Sequence, residues 1–349
     1  MIEETGTPLL DTRMVFLITD ETSDVFAKLA YAPRIGEQEF YYSPGWHESA
    51  GKKEGLFEIG WAKNSDLSDV ILQGPHFGLA APFVKEPNPT LKSKGDWKNT
   101  DFEAVGPTHI PATGIQPIIE NKNRFLNAFT HWEVEGKNRN SRDFFRIGWR
   151  RRIGSTGSRS VLTALVPPGP THLGVETLAR PDNPGLLLKT GAVLTSFLTD
   201  FVVRGTGISD LRSSNVKYLM LPDESPLDDL LVENYLRLNC VTQAYAPLWE
   251  EVVGQPWGVD TPLRKDEERR AAQVEIDAIV ALSLGVTADE LCMIYRTQFQ
   301  VVHLFDQEDR FDASGRKVPK EVVKADAKLK DGAELSVADR TWTHPQSGV

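Results

Sequence analysis

Residues 143–169 constrain the fold more than any other stretch of this chain. DFFRIGWRRRI (143–153) carries Phe145, Ile147, Trp149, Arg151 and Ile153 at alternate positions, the period of a half-buried strand. SRSVLTALVPPG (158–169) reads as a second strand, ended by Pro167 and Pro168. The intervening GSTGS (154–158) is turn chemistry, so the two strands are expected to pair as a hairpin. LLLKTGAVLTSFLTDFVVRGT (186–206) follows with the length and apolar spacing of one buried helix. A hairpin laid against a buried helix points to an α+β fold with a mixed sheet.

The flanking segments extend that reading. MVFLI (14–18), EFYYS (39–43), LFEIGWA (56–62) and SDVILQG (68–74) are short and rich in β-branched or aromatic residues, as strands are. Pro75, Pro82, Pro87, Pro89, Pro107, Pro111 and Pro117 forbid a long helix between 66 and 120, which leaves an ordered, loop-rich surface anchored by Phe77, Phe83 and Trp97. SSNVKYLMLP (213–222) starts as a short capped segment and closes as a strand. From Leu227 the pattern turns helical: 226–252, then the amphipathic 265–285 stopped by Gly285, then TADELCMIYRTQF (287–299). In the last of these Thr287 and Glu290 have capping-box spacing. The expected organisation is a mixed α/β domain over 1–225, a helical domain over 226–315, and a polar tail over 316–349 that reads as truncated.

Charge narrows the function. The formal net charge of −10 does not suit a protein coated in nucleic acid. Between Glu120 and Ser160, however, ten Lys/Arg face four Asp/Glu, whereas from Leu221 to Glu290 fifteen acids face five bases. A basic segment on an acidic chain points to a polyanion partner, the alternative being ordinary solvated charge. No apolar run suits a membrane span, and the acidic, polar start lacks a signal layout, so a cytoplasmic protein is expected. Cys240 and Cys292 lie far apart in apolar, helix-like surroundings and read as buried structural thiols.

Catalytic signatures are weak. Methyl transfer needs a glycine-rich cofactor turn and an Asn/Asp/Ser-Pro-Pro-aromatic loop. DFVVRGTG (200–207) imitates the turn only superficially, and VPPG (166–169) lacks both flanks of the loop. Glu120 and Lys122, with Asp101 upstream, leave a metal-dependent nuclease open as an alternative. The histidines are scattered without zinc-ligand spacing, and His76 reads as a hydrogen-bonded loop residue or a polar interface contact.

Lys and Arg neutralise phosphates, and Arg, Asn and Gln read base edges. GKNRNSR (136–142) is an exposed turn of those residue types, with Lys137, Asn138, Arg139, Asn140 and Arg142 as candidate DNA contacts. Arg146, Arg150, Arg151, Arg152 and Arg159 lie on or beside the hairpin. Arg150 and Arg152 share a face opposite Arg151, so only one set can line a groove; the alternative is that these arginines bridge internal carboxylates or carbonyls. Lys92 and Lys94, in KEPNPTLKSKGDWK (85–98), form a second candidate phosphate-contacting loop.

FFRIGWRRRIGSTGSRSVLTALVPPG (144–169) followed by LTSFLTDFVVRGTGISDLRSSNVKYLMLP (194–222) resembles the C-terminal region of large class I adenine-specific DNA methyltransferases, those of type IIG restriction–modification and phage-defence systems. SDVILQGPHFGLAAPF (68–83) and EIDAIVALSLGVTADELCMIYRTQF (275–299) are similar to flanking segments of those proteins, so the resemblance covers roughly 66–315. It implies recognition of double-stranded DNA for N6-adenine methylation. It also implies that S-adenosylmethionine and the catalytic loop belong to a missing domain or partner subunit, with no cofactor in this chain. Phe197, Asp200, Leu221 and Pro222 read as packing and turn residues. A non-DNA scaffold of a defence complex is the other alternative, compatible with the acidic helical part.

Overall fold

The structure, a computed structural model, describes residues 19–93, 95–154, 157–329, 334 and 336. The fold is α+β with a helical C-terminal part, as the periodicities imply. The expected strand over 14–18, Lys94, part of the GSTGS turn and most of the terminal tail lie outside the described residues.

The centre is a four-stranded antiparallel sheet in the order Tyr41–Ser43, Val175–Ala179, Arg146–Arg150, Thr163–Val166. The expected pairing is present: Thr163 lies opposite Trp149, and Val166 opposite Arg146. Val175 lies opposite Arg150 on the other side. Arg146–Arg150 is buried along its length, apart from partial exposure at Arg150, rather than half-buried as its alternation suggests. Ile147 faces the helix Pro184–Thr195, where a Cβ on Gly191 would meet it at 2.7 Å. The opposite face is closed by Phe77, which approaches Gly148 so tightly that a Cβ there would meet its ring at 2.6 Å. Glycine at 148 thus lets the loop-rich 66–120 segment cover the second face.

The apolar stretch 186–206 is two helices rather than one. Pro184–Thr195 and Phe197–Gly205 meet at a 60° bend. Ser196 there takes extended backbone (φ −70°, ψ 157°), donates its hydroxyl to Val193 O at 2.8 Å and accepts from Thr199 N at 3.3 Å. It caps the second helix at the cost of ending the first. The Phe197 N–H, freed by the break, donates to Asp277 Oδ1 at 2.6 Å. No single helix among the described residues is long and apolar enough to cross a membrane, and this bent pair is buried in the core.

Helices Asp228–Asn239 and Asp266–Ser283 pack on the elbow, and one hydrophobic core runs without interruption from Val25 to Val302, across the boundary expected at 225. Ala288–Gln298 begins with the expected capping box: Thr287 Oγ1 accepts from Glu290 N at 3.3 Å, and Glu290 Oε2 accepts from Thr287 N at 2.8 Å. Residues 213–222 do not close as a strand. Ser213–Val216 is a helical turn, and Met220 makes a single bridge to Arg34. A smaller core of Leu56, Phe57, Ile71, Ile115 and Phe125 lies beneath the ladder of Phe57–Lys63 with Ala112–Pro117.

Candidate functional site

GKNRNSR is not a simple turn. Lys137–Asn140 is a strand that pairs antiparallel with His131–Val134 around Glu135 and Gly136. Both turn residues have positive φ, 51° and 70°, the two-residue hairpin geometry that matches strand twist. Opposed residues share a face, so Trp132 with Arg139 and Val134 with Lys137 form one side of this ribbon, and Glu133 with Asn138 the other.

The first side is anchored by aromatic stacking. The Trp132 ring lies 5.5 Å from Tyr41 and 5.9 Å from Phe144, and its Nε1 donates to Tyr42 O at 3.0 Å. The Arg139 guanidinium sits 5.2 Å from the Phe144 ring centre, a cation–π distance. Tyr41 ties the ribbon down by donating its hydroxyl to Glu133 O at 3.0 Å. Lys137, Asn138 and Arg139 are exposed, whereas Asn140 donates to Leu126 O at 2.6 Å and accepts from Arg142 N at 3.2 Å. The charge reading did not find Tyr41, Trp132 and Phe144. The available signal was Glu135-Gly136 between two short alternating runs.

A groove of about 770 Å³ opens beside the ribbon, between it, Phe144 and Phe145, and the 180–184 loop. Its charged lining comprises Lys137, Arg139 and Arg180 against Glu39, Glu135, Asp143, Asp182 and Glu251.

The hairpin arginines mostly serve the interior. Arg146 is fully buried and donates to Phe144 O at 3.2 Å, Pro167 O at 3.3 Å and Pro170 O at 2.7 Å, clamping the Pro-Pro-Gly turn. Arg150 donates to Phe77 O. Burial lowers the proton affinity of both guanidinium groups. Arg142 is also buried, and burial lowers its proton affinity against the opposing pull of Asp143, Asp66 and Asp69. Arg151 holds Asp210 with two bonds, at 3.1 and 2.8 Å, which pulls that carboxyl down to about 2. Arg159 is buried against Asp200 at 2.7 Å and lies 4.2 Å from the Phe197 ring centre. Arg152 is exposed and forms a backbone bridge with Asp210. Lys92 is exposed on a loop folded around Asp96, whose carboxylate accepts from Asn88 Nδ2 at 2.8 Å, Thr90 Oγ1 at 2.7 Å and Lys92 N at 2.9 Å. The accessible members of the sequence-derived set are therefore Lys92, Lys137, Asn138, Arg139 and Arg152.

The remaining candidates disperse. Glu120 is exposed on the turn Ile119–Asn121, Lys122 pairs with Asp69 at 2.6 Å, and Asp101 accepts from Glu103 N at 3.0 Å. Among the described residues no group of three or more His, Cys, Asp or Glu is arranged to hold a metal ion. His76 is a buried loop residue: Nδ1 accepts from Gln73 N and Nε2 donates to Ala112 O, both at 2.9 Å. Burial pushes its pKa down to about 4. Thr206 caps the end of Phe197–Gly205, so RGTG is a helix terminus. Cys240 is buried, but Cys292 is exposed, which corrects the expectation of two buried thiols: it lies on the outward side of Ala288–Gln298. Compared with known proteins, the chain matches no protein-family model and no curated protein.

Proposed function

We propose that this chain recognises duplex DNA for an N6-adenine methyltransferase of a restriction–modification or phage-defence system. S-adenosylmethionine and the transfer chemistry belong, in this reading, to a separate catalytic domain or subunit, and the site of action is the cytoplasm. The observation that carries it is the ribbon, which projects Lys137, Asn138 and Arg139 into solvent from a rigid aromatic footing. A two-stranded ribbon fits the DNA major groove, about 12 Å wide. Asn138, on the side away from Trp132, faces the bases and offers the amide that pairs with adenine N6 and N7, while Lys137 and Arg139, on the opposite side, reach phosphates at the groove edge. Arg152 and Lys92 supply flanking phosphate contacts. Arg142, Arg146, Arg150 and Arg159 act as the frame and leave the contact set. Because the chain is acidic overall, the catalytic partner contributes part of the phosphate attraction.

Duplex binding by the chain, alone and with a methylase partner, measured across a salt series, tests this. Lys137→Ala with Arg139→Ala is expected to weaken binding to all duplexes and to reduce the salt slope by about two. Asn138→Ala is expected to relax sequence preference instead. The proposal fails if neither form prefers any duplex over heparin.

A further inference from the structure

The groove beside the ribbon has an unbalanced charge. Arg139 faces Asp143 at 3.6 Å, and Arg180 pairs with Asp182 at 2.9 Å. That leaves Lys137 against Glu39, Glu135 and Glu251, which are all exposed and make no ion pair among the described residues. A surplus of carboxylates attracts cations. The apolar part of the lining comprises Tyr41, Phe145, Pro181 and Pro184, partly exposed, with Leu187 and Leu248 buried. We infer that this groove docks a short segment of a partner protein in which Lys or Arg side chains alternate with apolar ones. The basic side chains meet Glu39 and Glu251, and the apolar ones lie against Tyr41, Phe145 and Pro184. The volume of about 770 Å³ falls in the range of formed ligand sites, and it suits a few side chains rather than a whole domain face. The acidic balance of the whole chain steers the same kind of partner towards it. Lys137 and Arg139 line the same groove, so the two readings are separated at its far side: a duplex held by the ribbon reaches Val134, whereas the peptide also reaches Leu187 and Leu248.

The test uses the full chain with methyl-labelled Leu and Val and, as probe, the peptide acetyl-Leu-Lys-Pro-Arg-Leu-amide. The same peptide with Glu in place of Lys and Arg, and a short DNA duplex, are compared with it. The cationic peptide is expected to shift the Leu187 and Leu248 methyls, and added salt should weaken the effect. Glu39→Gln with Glu251→Gln, two exposed positions, is expected to weaken binding roughly fivefold while leaving the rest of the methyl spectrum unchanged. The inference is overturned if the acidic peptide or the duplex shifts those methyls at equal or lower concentration. It is likewise overturned if the double variant binds the cationic peptide as before, or if no peptide shifts them at millimolar concentration.

Discussion

Arg159 donates from Nε to Asp200 Oδ2 at 2.7 Å, joining the segment after the hairpin's first strand to the second half of the helical elbow. Both residues are buried, and the same carboxylate accepts from Ser160 N at 2.9 Å and Val161 N at 3.0 Å. Arg159 also donates to Thr195 O, the last residue of the first elbow helix. Removing one partner of a buried pair strands the other charge away from water. Arg159→Ala is therefore expected to cost about 3–5 kcal/mol in denaturant unfolding. Arg159→Lys is not expected to restore it, because an ammonium lacks the planar fork that reaches both Asp200 and Thr195 O. Exposed Arg139→Ala should stay within about 0.5 kcal/mol. A loss below about 1 kcal/mol for Arg159→Ala would remove the structural role assigned to the pair.

Asp277 sits beneath the same hub, and its charge carries a pH signature. Burial, opposed by Arg159, the Phe197 N–H and Arg270, pushes its pKa from 3.8 up to about 6. Between those values the folded chain keeps the proton that the unfolded chain has released, so this group's contribution to stability falls as pH rises and is fully lost above about 6. His76 and His172, lowered by burial to about 4 and about 3, act in the opposite sense: their contribution is complete above 6.5 and is lost as pH falls. The difference between parent and Asp277→Asn isolates the aspartate, since the Asn oxygen still accepts from Phe197 N. The variant should gain on the parent as pH rises from about 4 to about 6. Unfolding midpoints that differ by a constant amount across that window would contradict this.

What was legible in the sequence is what local chemistry decides. The alternation at 145–153 and the strand ended by Pro167 gave the central pairing, and Thr287 with Glu290 gave a helix start. The break at Ser196 was not legible, because the apolar spacing runs through it and the acceptor that stabilises it, Asp277, lies 80 residues further on. The same limit governed the site. Positive charge at 142–159 was plain, but the partners that internalise Arg151 and Arg159 lie 59 and 41 residues away. Half-burial of the central strand failed for a similar reason, since Gly148 admits Phe77 from a segment read as surface. Composition located the ribbon, but only the fold separated its exposed cations from the buried arginines around it.

The two cysteines differ in a way that thiol chemistry can read. Cys240 is buried, and desolvation raises its pKa far above the ordinary thiol value, whereas Cys292 is exposed. A maleimide or disulfide reagent should therefore modify one thiol in the native protein and the second only on unfolding. Cys292→Ser should abolish the native-state reaction and leave the slow one. Rapid labelling of both thiols under native conditions would place Cys240 within reach of solvent and contradict its position in the core.

The turn of the ribbon offers a stabilising change. Glu135 holds φ at 51°, a left-handed conformation that costs an ordinary side chain roughly 1–2 kcal/mol and Asn less. Gly136, at 70°, already suits the second position. Glu135→Asn creates the Asn-Gly pair preferred in such turns and should raise stability by about 0.5 kcal/mol without changing register. The gain should be visible as slower hydrogen exchange at the amides of His131–Val134 and Lys137–Asn140. Gly136→Ala should act in the opposite direction, because its Cβ has open space around it but the backbone remains left-handed. If the ribbon is the contact element, Glu135→Asn should also improve duplex binding modestly, since it removes a carboxylate beside Lys137 and pre-organises the strand. Tighter exchange protection with weaker duplex binding would separate the ribbon's stability from DNA recognition and count against the ribbon as reader.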